Sequence, residues 1–317
     1  MNALLSSIRY FAKKNGSFLI FLILAIIASI AVPNFFALDN FAIIIKQSAI
    51  PLIACIGMTL VLMTGGIDLS MGYIVGFASI TSGLLAKIYQ WPIPAVVLAT
   101  FIVGIAFGSL NGFIIQFMKV PAFITTLGSG YIIYGLAQIV SQGSIVSRLP
   151  EGFLAIGRTE MLGLPSSVFI AAVVLLIFYI IINKGIFGRS LRAFGYNAKA
   201  AEVSGVPISK INVSVYIASG LLAALAGMLF TIRVNAAQPN MGGGNFNFEV
   251  ITAAIVGGTS LFGGVGSITG TLFGVLSIKI IENCINLMGI SYHLYMAVQG
   301  VIILIAIIFE NVKNKAL

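Results

Sequence analysis

Residues 43–86 read IIIKQSAIPLIACIGMTLVLM, then TGGIDLS, then MGYIVGFASITSGLLA. Two apolar runs, Ile43–Met63 and Ser70–Ala86, are parted by a short stretch with two adjacent glycines and one carboxylate. A helix needs about 20 mainly apolar residues to cross a bilayer. Each run approaches or reaches that length. The pattern is that of two membrane helices joined by a break that carries a charge.

The rest of the chain repeats the pattern. Across 317 residues 59% are hydrophobic and only 8% charged, against roughly 25% charged in soluble proteins. So few charges cannot keep a water-facing surface in solution, and lipid must be the solvent. Further apolar runs are Ser17–Val32, Pro92–Phe117, Ala122–Val140, Pro165–Ile182, Ile211–Ile232, Phe248–Leu261, Ser267–Ile281 and Leu294–Phe309. The expected fold is therefore an all-α membrane protein of about ten transmembrane helices, interrupted by glycines. The runs at 248–261 and 267–281 are short and Gly-flanked, as tilted or re-entrant segments would be. The first run, preceded by Arg9, Lys13 and Lys14, also has the outline of a signal peptide. A multi-pass chain needs no cleaved signal, so a retained helix is the plainer reading. No stretch is long enough for a soluble domain, and the whole of 1–317 reads as one membrane domain.

Lys and Arg concentrate on cytoplasmic loops of membrane proteins. With both termini cytoplasmic, Arg9, Lys13, Lys14, Lys119, Lys184, Arg189, Arg192, Lys199, Lys210, Lys313 and Lys315 fall inside. Lys46, Lys87, Arg148, Arg158, Arg233 and Lys279 fall outside. Eleven against six supports that orientation, and Tyr89 and Trp91 then mark an outer boundary as aromatic anchors do. Residues 142–164 and 233–247 become outer loops. Residues 183–210 become the longest cytoplasmic one. The net charge of +9 is a topology signal here, and no basic, aromatic-interleaved face speaks for nucleic acid.

Few residues carry chemistry. Cys55 and Cys284 are isolated packing residues, His293 stands alone at a helix start, and no metal-ligand spacing occurs. The chain has no GxxxxGK[ST] phosphate loop, so any ATP must be bound by another chain. Asp68 is the sharpest residue. A carboxylate inside a membrane faces a cavity or a partner, and one beside a helix start also caps exposed N–H groups. The cap is the plainer reading and the pathway wall the bolder one, and both are compatible. Gly65, Gly66 and Ser70 share the break, while Asn111, Thr125 and Thr126 are polar groups inside apolar runs. They suit either a polyol pathway or glue between helices. Gly65–Gly72 matches Gly257–Gly264 at GGxxLxxG, a possible internal repeat, with Gly257 and Gly258 the second pair of break glycines.

Residues 188–207, GRSLRAFGYNAKAAEVSGVP, form the most informative polar stretch. Asn197 is placed to cap a short helix that Gly205 and Pro207 end. Ala198, Ala200, Ala201 and Ser204 keep it narrow. An exposed narrow knob fits a groove on a partner better than it fits a lipid surface.

With this stretch the chain resembles the ribose-type monosaccharide permeases of ATP-binding-cassette importers. The break resembles their GGIDLSxG signature. Gly195-Tyr196-Asn197-Ala198-Lys199-Ala200-Ala201-Glu202-Val203-Ser204-Gly205-Val206 resembles their coupling loop. The blocks Gly220–Gly227 and Gly257–Gly264 fit as well. Met71 replaces a common valine, and Asn247 and Glu249 stand where the family tends to show Glu and Asp, which weakens any assignment of one sugar. The resemblance implies a two-permease pathway, usually a homodimer, in the bacterial inner membrane. It implies a cytoplasmic ATPase that binds ATP and Mg and docks on Gly195, Asn197, Ala200, Ala201, Glu202, Ser204 and Gly205. It also implies an extracytoplasmic sugar-binding protein, and no catalytic residue in this chain. The rival readings are an ion-coupled secondary transporter, which would carry several intramembrane carboxylates or histidines, and a membrane-embedded enzyme, which would need a cluster of reactive groups.

Overall fold

The structure, a computed structural model, describes residues 16–315. The basic cluster Arg9, Lys13 and Lys14 lies outside the described residues. Thirteen helices run through the described chain: α1 Gly16–Ala31, α2 Leu38–Met63, α3 Met71–Lys87, α4 Ile93–Phe117, α5 Ala122–Ser141, α6 Glu151–Arg158, α7 Ser166–Asn183, α8 Ile186–Tyr196, α9 Ala198–Val203, α10 Ile208–Val234, α11 Gly243–Val256, α12 Ile268–Leu287 and α13 Tyr292–Lys315. Two short antiparallel pairs accompany them, β1 Val146–Ser147 with β4 Ala236–Ala237, and β2 Glu160–Met161 with β3 Leu164–Pro165. Six helices, α2, α4, α5, α7, α10 and α12, are long and apolar enough to cross a membrane, and the other apolar helices have shorter apolar stretches.

The centre is built by small residues. Gly104, Gly108 and Gly112 form a ridge on α4 that faces Gly220, Tyr216 and Val213 of α10, and a Cβ at Gly104 or Gly108 would overlap an α10 carbonyl. Between apolar helices in lipid, close backbone approach and its van der Waals contacts replace the hydrophobic drive. Gly227 of α10 opens the same space for Val75 of α3. Helix α2 is buried over almost its whole second half. The outward faces of α4, α5 and α7 expose Leu98, Ile102, Ile132, Ile139, Leu176 and Ile180, as lipid contact requires.

Two breaks shape the interior. Residues 64–70 leave the end of α2 and run inward along α10. Asp68 meets Ser219, about 16 Å along α10 from Ile208 at 1.5 Å per residue. Helix α3 starts there and runs beside α10, with Val75 at Gly227 and Ser79 at Thr231. Residues 235–242 were expected outside as a loop. They turn inward instead, laying Ala237 on Gly83, Pro239 on Gly76 and Gly242 on Gly72. Each of those glycines is required, because a Cβ would strike the incoming backbone or side chain. Helix α11 therefore starts at the depth of Gly72 and descends past Cys55 of α2, whose thiol donates to the Val250 carbonyl at 3.3 Å.

Three sequence expectations change. The run expected at 267–281 is the full-length α12. The blocks Gly65–Gly72 and Gly257–Gly264 touch each other, with Gly65 packed on the Phe262 carbonyl, but they occupy different kinds of place. The first leads into the interior, and the second closes the turn from α11 to α12. Finally, Lys279 was counted as an outer cation yet lies within α12, 6% exposed, where it carries no topology signal.

Candidate functional site

The inward break exposes backbone groups where no water reaches them, so side chains must pair them. Asp68 is 1% exposed. One carboxylate oxygen accepts from the Ser70 amide at 3.0 Å and the Ser70 hydroxyl at 2.5 Å. The other accepts from the Ser219 hydroxyl at 2.7 Å. The Asn111 amide donates to the Ser70 hydroxyl oxygen at 2.8 Å. Thr126 Oγ1 accepts from the Leu69 amide at 3.1 Å, with the Ile67 carbonyl 3.0 Å away. Asn247 closes the far side: its Oδ1 accepts from the Gly72 amide and its Nδ2 donates to the Leu69 carbonyl, both at 2.7 Å. Asp68, Ser70, Asn111 and Thr126 are thus one buried network that holds the start of α3. Thr125 makes no hydrogen bond to that network; its hydroxyl is buried and unpaired, as is the Asn111 carbonyl oxygen. Gly66 leaves room for the Tyr216 hydroxyl.

Sequence reading passed over Asn247 in this role, because an asparagine before a glycine block has no distinctive pattern. It also passed over a polar stripe on α5. Gly128, Tyr131, Gly135 and Gln138 recur at spacings of three and four residues, which places them on one face. Gly128 and Gly135 meet open space, and Tyr131 is 62% exposed. Gln138 donates to the Tyr134 hydroxyl at 2.7 Å. The Tyr73 ring of α3 lies 5.9 Å from Tyr131 and 5.8 Å from Tyr134. Tyrosines in membrane proteins favour the two interfaces; these stand midway along α5 with hydroxyls and amides that hydrocarbon cannot satisfy.

A second charge cluster lies between α11 and α12, around the buried Lys279. Lys279 Nζ lies 2.7 Å from Glu249 of α11 and 2.6 Å from Glu282 of α12. Three charges so placed cost several kcal/mol each to desolvate unless paired, and here they pair.

At the end of the bundle where α2 finishes, the glycine blocks converge. The Gly264 amide donates to the Met63 carbonyl at 2.9 Å, and Gly195 fits against both, where any Cβ would overlap the Met63 carbonyl. Gly257 packs on Gly270, and Gly258 has φ +87. Beyond Gly195 the chain leaves the body. Asn197 is extended, and its side chain accepts from the Ala200 amide at 3.0 Å. The Ser204 hydroxyl donates to the Ala200 carbonyl at 2.8 Å, and Gly205 ends the helix at φ +82. Ala201 turns into the protein, while Ala200, Glu202, Ser204 and Gly205 are exposed. Val203 is 91% exposed. Arg192 ties α8 to the end of α7 through the Ile182 carbonyl at 3.1 Å and Asn183 at 3.3 Å. The knob is therefore fixed at its base, directly over the opening of the inward break.

The family described as the branched-chain amino acid transport system / permease component matches residues 40–307. The ribose import permease protein RbsC of Bacillus subtilis (strain 168) is 37% identical over 305 residues, covering 95% of this chain and 94% of its own. RbsC of Haemophilus influenzae is 34% identical over 305 residues, with 95% and 94% covered. The L-arabinose transport system permease protein AraH of Escherichia coli (strain K12) is 35% identical over 312 residues, with 95% and 91% covered. No solved structure matches.

Proposed function

The chain belongs to the family of transport-system permease components that matches residues 40–307, and from that membership we propose that it is the permease subunit of an ATP-binding-cassette importer for a monosaccharide. It is a multi-pass protein of the inner membrane. The observation that carries the sugar class is near-full-length identity of 34–37% to permeases named for ribose and L-arabinose. The family is described by branched-chain amino acids, so a substrate panel must include leucine beside pentoses and hexoses.

In this reading the knob at Asn197–Gly205 receives a cytoplasmic ATPase that binds ATP and Mg, and the permease makes and breaks no covalent bond. The base of the knob rests on Met63 and Gly264, beside the mouth of the break. A push on α8 and α9 is therefore delivered to α2, to residues 64–70 and to the turn before α12. The ten apolar segments cross the membrane, two of them as a break followed by a half-helix (α3 and α11), with both termini cytoplasmic; the outer face receives a sugar-binding protein, and two copies enclose one pathway. The α5 stripe with Tyr73 lines that pathway, its rings against the apolar faces of a sugar and its amides and hydroxyls against the sugar hydroxyls. Asp68, Ser70, Asn111 and Thr126 hold the half-helix start behind this wall. The two breaks form an inverted pair. What supports this is that α3 and α11 start at one depth and run toward opposite ends, each after an inward stretch. A carboxylate pair at Glu249 and Glu282 favours one rival, an ion-coupled transporter, but Lys279 already neutralises much of it.

The test is co-purification and coupled hydrolysis. The tagged permease, expressed with its candidate ATPase, is expected to retain it through purification in detergent. A bulky residue at Ala200 should release it, and a permease that never binds an ATPase contradicts the proposal.

A further inference from the structure

A hollow of about 300 Å³ opens at the end of the bundle opposite the knob. It lies where α2 begins, α6 and α10 end and α7 starts. Lys46, Arg158 and Arg233 line it together with Gln47 and Ser167, and no acidic side chain does. Three cations around one small hollow repel one another unless an anion occupies it. The arginine is fixed in place: Arg158 Nε donates to the Ile232 carbonyl at 2.7 Å and Nη2 to the Arg233 carbonyl at 2.8 Å. That leaves the rest of its fork free for an oxyanion. The Gln47 amide oxygen is buried without a partner, an acceptor that a phosphodiester alone cannot satisfy but a headgroup hydroxyl can. Glu249 and Glu282 act on Arg233 from beyond the hollow and are engaged by Lys279, and Glu160, paired with the lining residue Pro165 across β2 and β3, is exposed outside the lining. Lys46, Arg158, Arg233 and Lys279 against Glu160, Glu249 and Glu282 leave the region positive. From the same end of the molecule, α7 exposes Val173, Leu176, Ile177 and Ile180 along its length, a surface for acyl chains.

We propose that this hollow binds the headgroup of an anionic phospholipid of the phosphatidylglycerol type. Its phosphate lies between Lys46, Arg158 and Arg233, and a headgroup hydroxyl donates to Gln47. Basic pockets between membrane helices recognise lipid phosphates in this way. The site needs only the membrane setting and stands whether or not the sugar assignment holds. Free phosphate shares the charge chemistry but offers no acyl chains to α7.

The full chain, with whatever subunits co-purify, is placed in phosphatidylcholine nanodiscs holding a minor fraction of phosphatidylglycerol, and retained lipid is counted by native mass spectrometry after mild delipidation. Phosphatidylglycerol is expected to be retained well above its share. Lys46→Gln and Arg233→Gln should each lower that retention about fivefold without altering elution on size exclusion. Retention in proportion to the mixture overturns the proposal, as does enrichment unaffected by both substitutions. Should either variant fail to fold, the wild-type competition decides alone. Inorganic phosphate is the second arm: if it raises the melting temperature of the delipidated protein as much as phosphatidylglycerol does, the hollow takes a soluble anion and the lipid assignment falls. If only the lipid protects, the assignment stands.

Discussion

Asp68 shows how a single carboxylate fits inside a membrane protein. Its two oxygens receive three hydrogen bonds from Ser70 and Ser219, so the charge is spread over donors fixed by α3 and α10. Removing it leaves buried donors unpaired, at about 1–3 kcal/mol for each. Asp68→Ala is therefore expected to lower the detergent melting temperature markedly, and Asp68→Asn, which keeps acceptor capacity, to lower it less. A well-folded Asp68→Ala with a changed sugar preference would shift Asp68 from the scaffold to the pathway wall. Lys279 is the complementary case. Lys279→Met abandons two carboxylates with low exposure, at about 3–5 kcal/mol, and should cost most of the folded yield. Adding Glu249→Gln and Glu282→Gln should restore it, as read by fluorescence-detected size exclusion. Asp68 stood out in the sequence because it is the only charge in an apolar break. The Lys279 cluster did not, because Glu249 and Glu282 meet Lys279 across two helices and nothing local announces the meeting.

At the scale of the element, helices were legible and depth was not. The ten apolar runs all coincide with helices, although α11 ends at Val256, short of the run read at 248–261, and α12 continues to Leu287, past the run read at 267–281. Hydropathy is blind to where a stretch of backbone travels, however. Residues 235–242 contain Gln, Pro and Asn and read as an outer loop, yet they run inward because Gly72, Gly76 and Gly83 clear a groove for them. Gly76→Leu is expected to expel that stretch and abolish a stable fold, whereas Gly128→Leu, facing open space, should leave stability within about 1 kcal/mol and instead reduce transport by crowding the α5 stripe. Thermal melts and uptake rates measured on both variants separate the two roles. The short helix α9 was legible down to its cap, because Asn197, Gly205 and Pro207 act through local backbone chemistry. Glycine at 205 holds φ +82, so Gly205→Val should strain the knob and uncouple ATP hydrolysis from uptake while leaving the membrane body folded.

For the whole molecule, Lys46, Lys87, Arg233 and Lys279, which charge counting assigned to the outer side, lie on helices. Residues 64–66, 195–205 and 257–264 gather at one end. The lipid-binding hollow, β1 with β4 and the β2–β3 turn gather at the other. In the proposed reading, one end receives the energy-coupling partner and the other the solute, with a pair of half-helices between them. The measurement that tests this most directly is uptake of labelled pentoses and hexoses into proteoliposomes containing the permease, its ATPase and its sugar-binding protein. The account predicts accumulation of a monosaccharide that needs internal ATP, is indifferent to ion gradients and is lost when Ala200 is replaced by Trp. Uptake that persists without the ATPase or ATP, driven by an ion gradient instead, would contradict it.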